Sequence, residues 1–219
     1  MSTEFGDDEQ RLERSPRIYG VVRAVVTNNQ NDPYGRVKVS FINLPQLGES
    51  AWARMATPMA GKAYGLSCIP EVNDEVLVVF EQGDIDKPYI AGALWNGEST
   101  PPYTNADGKN NTRQLTSRSG HTVTFDDTKD KEQFIIRDKT GNNQIVFDST
   151  NNVITISSAK DIRIDAKGSL SLSSDGDLNV SCNNFKVTAK QTGTLEANQS
   201  LDLKCMAGVK LNNDGLVVK

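Results

Sequence analysis

The sequence predicts an all-β protein in two unlike parts: a small five-stranded barrel, then a thin β-helix in which three chains wind around one another. Three observations predict it. The last third repeats an apolar-x-apolar pair about every eight residues, all eight prolines fall at or before Pro102, and five short alternating segments lie between Tyr19 and Trp95.

The repeat sets the architecture. Its pairs are Ile154/Ile156, Ile162/Ile164, Leu170/Leu172, Leu178/Val180, Phe185/Val187, Leu201/Leu203, Val209/Leu211 and Leu216/Val218, with a weak unit from Thr192 to Leu195. First members advance by 8, 8, 8, 7, 16, 8 and 7 positions, and Gly168 and Gly176 stand one period apart. Side chains at i and i+2 share one face of a strand, so each unit is a very short strand with one apolar face and a polar turn. One such strand cannot hold itself together, and a column of them exposes a hydrophobic stripe. After Tyr103 the only aromatics are Phe125, Phe134, Phe147 and Phe185, which makes a core thin in cross-section. Three sheets from three chains enclose such a core and leave no free edge. A solitary β-helix needs roughly 18 or more residues per coil, so eight are too few unless two or three units make one coil. Disorder fits the Asn, Ser, Asp and Lys content but not the kept alternation.

Proline removes a ladder donor, so its exclusion after Pro102 fits a segment whose backbone is all sheet. The expected organisation is a charged arm at 1–16, a barrel domain at 17–100, a linker and neck at 101–125 and a β-helix at 126–219. The start, MSTEFGDDEQRLERSPR, is polar and does not read as a signal peptide. No apolar run approaches the roughly 18 residues of a membrane span. A net charge of −4 shows no cationic surplus for phosphate binding. The three cysteines form no paired framework. Cys182 and Cys205 continue the inward parity of Leu178/Val180 and Leu201/Leu203, and read as small buried hydrophobes.

In the first part, Tyr19 to Thr27, Arg36 to Phe41, Ser50 to Met55, Glu75 to Phe80 and Lys87 to Trp95 read as strands. The turn NNQNDPYG separates the first two. Five short strands in about 80 residues point to a barrel of the oligonucleotide/oligosaccharide-binding (OB) type.

These segments carry a resemblance. Asp32-Pro33-Tyr34-Gly35-Arg36-Val37-Lys38-Val39 resembles the DPxGRVKV hairpin of the phage baseplate assembly protein V and VgrG family of spike proteins. Trp52 to Gly61 resembles its WVRVAxPxAG strand and loop, and Ile69 to Val78 its IPxVGxEVLV segment. Gly83 to Pro88 and Gly92 to Gly97 look like the GDPDRP and GxxYNG blocks, and Ser117 to Asp127 like the SxSGHxIxxDD neck. The blocks fall in the family's order across residues 18–219.

The resemblance implies a structural, non-enzymatic trimer: the central spike of a contractile injection machine (phage tail, type VI secretion system or extracellular particle). It implies assembly in the cytoplasm, delivery outside the cell, and puncture of a target envelope. The larger members carry a hub domain ahead of the barrel, so a separate hub protein is expected at the barrel end. Members with their own pointed tip use a His-x-His iron site, whereas this chain has one histidine. A separate PAAR-type tip protein is therefore expected on Leu216, Val217, Val218 and Lys219. The trimer core is expected to be Ile154, Ile156, Ile162, Ile164, Leu170, Leu172, Leu178, Val180, Phe185, Val187, Leu201, Leu203, Val209 and Leu211, with Lys160, Asp161, Arg163 and Asp165 facing outward.

No catalytic residue, cofactor or metal site is expected. His121 reads as a turn residue before it reads as a metal ligand on a threefold axis. Asp84/Asp86 and Asp126/Asp127 lie in polar segments that read as solvated turns, and Asp126, Asp127 and Asp130 lack EF-hand spacing. Trp52 and Trp95 read as barrel core or trimer contacts. Two other classes stay open: an OB-fold nucleic-acid-binding module, disfavoured by the acidic balance, and a carbohydrate-active β-helix enzyme. The second would need paired acids, and Asp161, Asp165, Asp175 and Asp177 are interspersed with Lys and Ser.

Overall fold

The computed structural model describes residues 17–207, and the expected arm at 1–16 lies outside the described residues. The chain divides into two compact units, the first ending at Ile162 and the second beginning at Arg163. Among the described residues no helix is long and apolar enough to cross a membrane.

The first unit opens with the barrel. Its strands are β1 (Val22–Asn28), β2 (Lys38–Phe41), β3 (Arg54–Met55), β6 (Glu75–Phe80) and β7 (Pro88–Leu94), in the order β2-β1-β6-β7-β3. A small hairpin, β4 (Ala60–Gly61) and β5 (Tyr64–Gly65), interrupts the series. All pairings are antiparallel except β3 with β7. Between Val37 and Ala53, bonds of 3.0 and 2.7 Å join the segments leading into β2 and β3, so the sheet curls back on itself. This is the curled OB sheet that the five alternating segments predict.

Alternation decides which side chains enter the core. Val22, Ala24 and Val26, then Val37, Val39 and Phe41, then Val76, Val78 and Phe80, are buried at every second position and meet Ala53 and Ile90. Phe41 and Phe80 pack at a 5.7 Å centroid distance. Ser50 is the one buried polar residue there: its hydroxyl donates to the Ala51 carbonyl (2.7 Å) and accepts from the Val39 amide (3.0 Å). Gly83 adopts φ +79°, and a Cβ on it would come within 3.2–3.3 Å of Tyr19, Arg17 and the Ile18 amide nitrogen. Glycine here lets the entering chain lie close, with the Ile18 amide donating to the Gly83 carbonyl at 2.9 Å.

The Asp32 motif locks the turn before β2. One Asp32 oxygen accepts from the Tyr34 and Arg36 amides, and the other takes the Arg36 guanidinium at 3.0 and 2.6 Å. The Arg36 hydrogen bond, helped by those amides, holds the Asp32 carboxyl down at about 2.

After the barrel the same unit forms a second five-stranded sheet: β8 (Thr112–Thr116), β9 (Thr122–Asp126), β10 (Gln133–Arg137), β11 (Gln144–Asp148) and β12 (Val153–Ser157). It is an antiparallel meander in which each strand pairs with the next over five residues. Residues 126–157, expected in the intertwined β-helix, are thus paired within their own chain. The physical reason is local turn chemistry. Asp126 and Asp148 end β9 and β11, Asp138 directly follows β10, and Thr stands two places after each. Asp126 accepts from the Thr128 amide, Asp138 from the Thr140 hydroxyl and the Asn143 side chain, and Asp148 from the Asn151 amide and side chain. Such turns fold the backbone back at once. Between β8 and β9 the same task falls to Ser117 and Gly120, whose φ is +96°.

In the second unit, no described residue belongs to a strand or is buried. Arg163 binds Asp165 at 2.6 Å.

Candidate assembly surfaces

Register in the β8–β12 sheet gathers apolar residues on one face. One row across the strands reads Arg113, Phe125, Phe134, Phe147, Ile154, and the next reads Leu115, Val123, Ile136, Ile145, Ile156. Nine of these ten positions are apolar. Phe125 and Phe134 stack at 4.9 Å, and Phe134 and Phe147 lie 5.5 Å apart. The exception, Arg113, is on the edge strand with its charge met by Asp127 at 2.7 Å. The central row of the other face, Gln114, Thr124, Ile135, Val146 and Thr155, is mixed. Leu115, Phe125, Ile136, Phe147, Ile154 and Ile156 remain 37–65% exposed. An exposed apolar face of this extent marks an interaction surface.

The sequence-predicted residues fall into three groups. Ile154 and Ile156 lie on β12, in the two rows just described. Ile162, Ile164, Leu170, Leu172, Leu178, Val180, Phe185, Val187, Leu201 and Leu203 are all exposed, between 53 and 75%. Val209, Leu211, Leu216, Val217, Val218 and Lys219 lie outside the described residues. Cys68, Cys182 and Cys205 are free and exposed in the single chain. Trp95 is also exposed, which excludes barrel core from its two expected roles and leaves the trimer contact, because it continues the outward parity of Ala91 and Ala93. Trp52 is half-buried with the Lys38 ammonium 5.4 Å from its ring.

His121 sits in a turn. Its amide donates to the Ser117 hydroxyl at 3.0 Å, and its Nδ1 accepts from the Lys139 amide at 3.3 Å, tying the β8–β9 turn to the β10–β11 turn. Asp138 is desolvated, which pushes its carboxyl up, but the bonds from Thr140 and Asn143 prevail and hold it at about 2. Asp126 and Asp148 are lowered by bonds from Thr128 and Asn151. These carboxylates serve turns.

A cleft of about 1180 Å³ opens on the barrel beside the β4–β5 hairpin. Arg36, Arg54, Tyr34, Met59, Tyr64 and Cys68 are among its walls. The Arg36 guanidinium is engaged by Asp32 and the Tyr34 ring, and Arg54 lies 5.6 Å from the Tyr89 ring. Sequence reasoning missed this hairpin and the apolar sheet face. The face had a signal: Val123/Phe125, Phe134/Ile136, Ile145/Phe147 and Ile154/Ile156 advance by 11, 11 and 9 residues, each step crossing an Asp-x-Thr turn.

Residues 22–95 match the family described as the type VI secretion system/phage-baseplate injector OB domain. The chain is similar to the type VI secretion system spike protein VgrG5 of Pseudomonas aeruginosa, 43% identical over 98 residues, covering 40% of this chain and 12% of that protein. It is 32% identical over 149 residues to the spike protein VgrG1a of the same species, covering 63% of this chain and 22% of the relative. It is 31% identical over 134 residues to the actin cross-linking toxin VgrG1 of Vibrio cholerae, covering 55% and 12%. The chain thus spans about a fifth or less of the length of these curated relatives. The match over residues 22–95 is thus to the injector OB domain, and the wider similarity is to VgrG-type spike proteins.

Proposed function

We propose that the chain acts as the central spike of a contractile injection machine, as a structural component and not an enzyme. Three copies associate, with the barrels at the baseplate end and the eight-residue repeats wound into a triangular β-helix that points forward. The barrel meets a ring-shaped hub protein, and the far end carries a PAAR-type tip protein on Leu216 to Lys219. The spike assembles in the cytoplasm and is delivered outside the cell when the machine contracts, piercing the target envelope.

One observation carries this reading. Downstream of an injector OB domain, ten apolar side chains from Ile162 to Leu203 recur as i, i+2 pairs, and all are exposed in the single chain. Isolated hydrophobic residues on a surface are ordinary, but a periodic stripe this long calls for a partner with the same period. A second and third copy supply it, and their strands complete the ladders that one chain leaves open. A closed three-chain shaft has no free edge to unravel under load.

Light scattering of the full-length protein tests the assembly. The expected mass is three times the 23.9 kDa of one chain. A monomer at micromolar concentration would sink the reading and return the repeat to a single-chain β-helix.

A further inference from the structure

We propose that the apolar face of the β8–β12 sheet is where three chains first meet, and that this contact sets the register of the repeat that follows. The inference rests on the three-chain reading above and goes beyond it by assigning the place and order of association.

The sheet can form before any partner arrives. Its four ladders run between neighbouring segments of one chain, and each turn is closed by its own Asp or Ser side chain. Local pairing of this kind forms early, because little loop closure precedes each contact. The backbone is then satisfied while nine apolar side chains on one face are not.

What covers that face follows from its continuity with the repeat. Ile154 and Ile156 are the last column of the two rows and also the first pair of the eight-residue series. The next repeat residue, Ile162, lines one apolar groove with Leu115, Val123, Ile136, Ile145 and Ile156. The Ser158 hydroxyl and the Ala159 amide lie 2.9 and 3.2 Å from the Asn143 side-chain oxygen, which pins the chain where it leaves the sheet. Copies wound together from Ile162 onward therefore hold the sheets that immediately precede it near one another along the chain, with their apolar faces still to be covered. The one charge in the rows, Arg113, lies at the edge and is matched within its own chain by Asp127. The face thus asks for an apolar partner like itself.

The repeat needs such a device. A slip of eight residues places Ile162/Ile164 against Leu170/Leu172, and Leu170/Leu172 against Leu178/Val180, with apolar pairs still facing apolar pairs. Register is weakly specified where neighbouring units are equivalent. The sheet face is not periodic in this way: its three phenylalanines form one row, and no other segment of the chain matches it. Three copies meeting there admit a single alignment, from which the shaft strands then pair downstream.

The test is refolding of the full-length chain from denaturant, with association followed by time-resolved light scattering at several concentrations. The double substitution Ile145→Thr with Phe147→Thr keeps β-compatible residues but strips the face, and Leu172→Thr does the same to the shaft. The face variant is expected to slow association at least tenfold and to leave shaft amides heterogeneous in hydrogen exchange. Leu172→Thr is expected to associate within about twofold of the wild-type rate while weakening protection near residue 172. Should the double variant lose its sheet, Leu115→Thr on the exposed edge strand replaces it, with the same expected direction. The reverse order, in which face variants associate normally and Leu172→Thr is slow, would overturn the inference while leaving the trimer intact. A wild-type chain that never associates would overturn the three-chain reading itself.

Discussion

The sheet at 112–157 and the segment at 163–207 are written in nearly the same alphabet, and only one of them pairs with itself. Both place apolar residues at i and i+2 between Asp, Asn, Ser, Thr, Lys and Gly. They differ in period and in turn chemistry. Apolar pairs in the sheet advance by 9 to 11 residues, enough for a five-residue strand and a turn that reverses the chain. In the segment they advance by about eight, and no described residue there belongs to a strand. The sheet also carries an Asp-x-Thr at the end of three strands, whereas no Asp-x-Thr occurs between 163 and 207. The segment, unpaired in the single chain, leaves its backbone and its apolar pairs open to another chain under the proposed assembly. A difference of one to three residues per unit, with the loss of the Asp-x-Thr turns, thus accompanies the change from a self-paired sheet to a segment unpaired in the single chain.

The largest expected effect comes from breaking the dependent side of this comparison. Leu172→Asp places three carboxylates in one narrow core under the proposed assembly, and each unpaired buried charge costs several kcal/mol. The variant is expected to run as a 23.9 kDa monomer in light scattering, with the barrel and the β8–β12 strands still protected in hydrogen exchange. A stable Leu172→Asp trimer would show that Leu172 does not face inward. The barrel offers the opposite case. Ile90 is fully buried within one chain, so Ile90→Ala should cost about 2–5 kcal/mol in denaturant unfolding of the barrel. The oligomeric mass should not change, because the cavity lies inside a core that one chain completes.

Legibility in the sequence followed the same division. The barrel strands were readable because burial imposes a period of two on 22–26, 37–41 and 76–80 and because the turn residues between them are strong breakers. The β4–β5 hairpin was not, since Ala60–Gly61 and Tyr64–Gly65 are too short to show any period. Of the two roles the sequence offered for Trp95, barrel core is excluded by its exposure, because it follows the outward positions Ala91 and Ala93 of β7, and the trimer contact stays open. The β8–β12 sheet was hidden by the stronger eight-residue signal after it: Ile154/Ile156 fits both series, and the longer period upstream was absorbed into the shorter. The exposed face it builds is a property of register between strands, which no single segment displays.

Acid provides the mildest way to sharpen the comparison, because it acts on turns and spares apolar contacts. The Asp138 carboxyl sits at about 2 in the folded chain, against about 3.9 for an unperturbed Asp. A lowered folded value means that the ionised carboxylate stabilises the turn fully above about pH 4, and that this contribution is lost as pH falls towards about 2. Asp126 and Asp148 are shifted in the same direction, so all three Asp-x-Thr turns should loosen together. The expected result is faster amide exchange at Thr140, Gly141 and Asn143 as pH is lowered through that window, after correction for the intrinsic pH dependence of exchange. Asp138→Asn keeps a side-chain oxygen to accept from the Thr140 hydroxyl but cannot titrate, and should flatten the response of that one turn while the turns at Asp126 and Asp148 still loosen. Equal acid sensitivity in Asp138→Asn and wild type at residues 140–143 would mean that the carboxylate does not govern the reversal. The contrast with the eight-residue repeat would then rest on spacing alone.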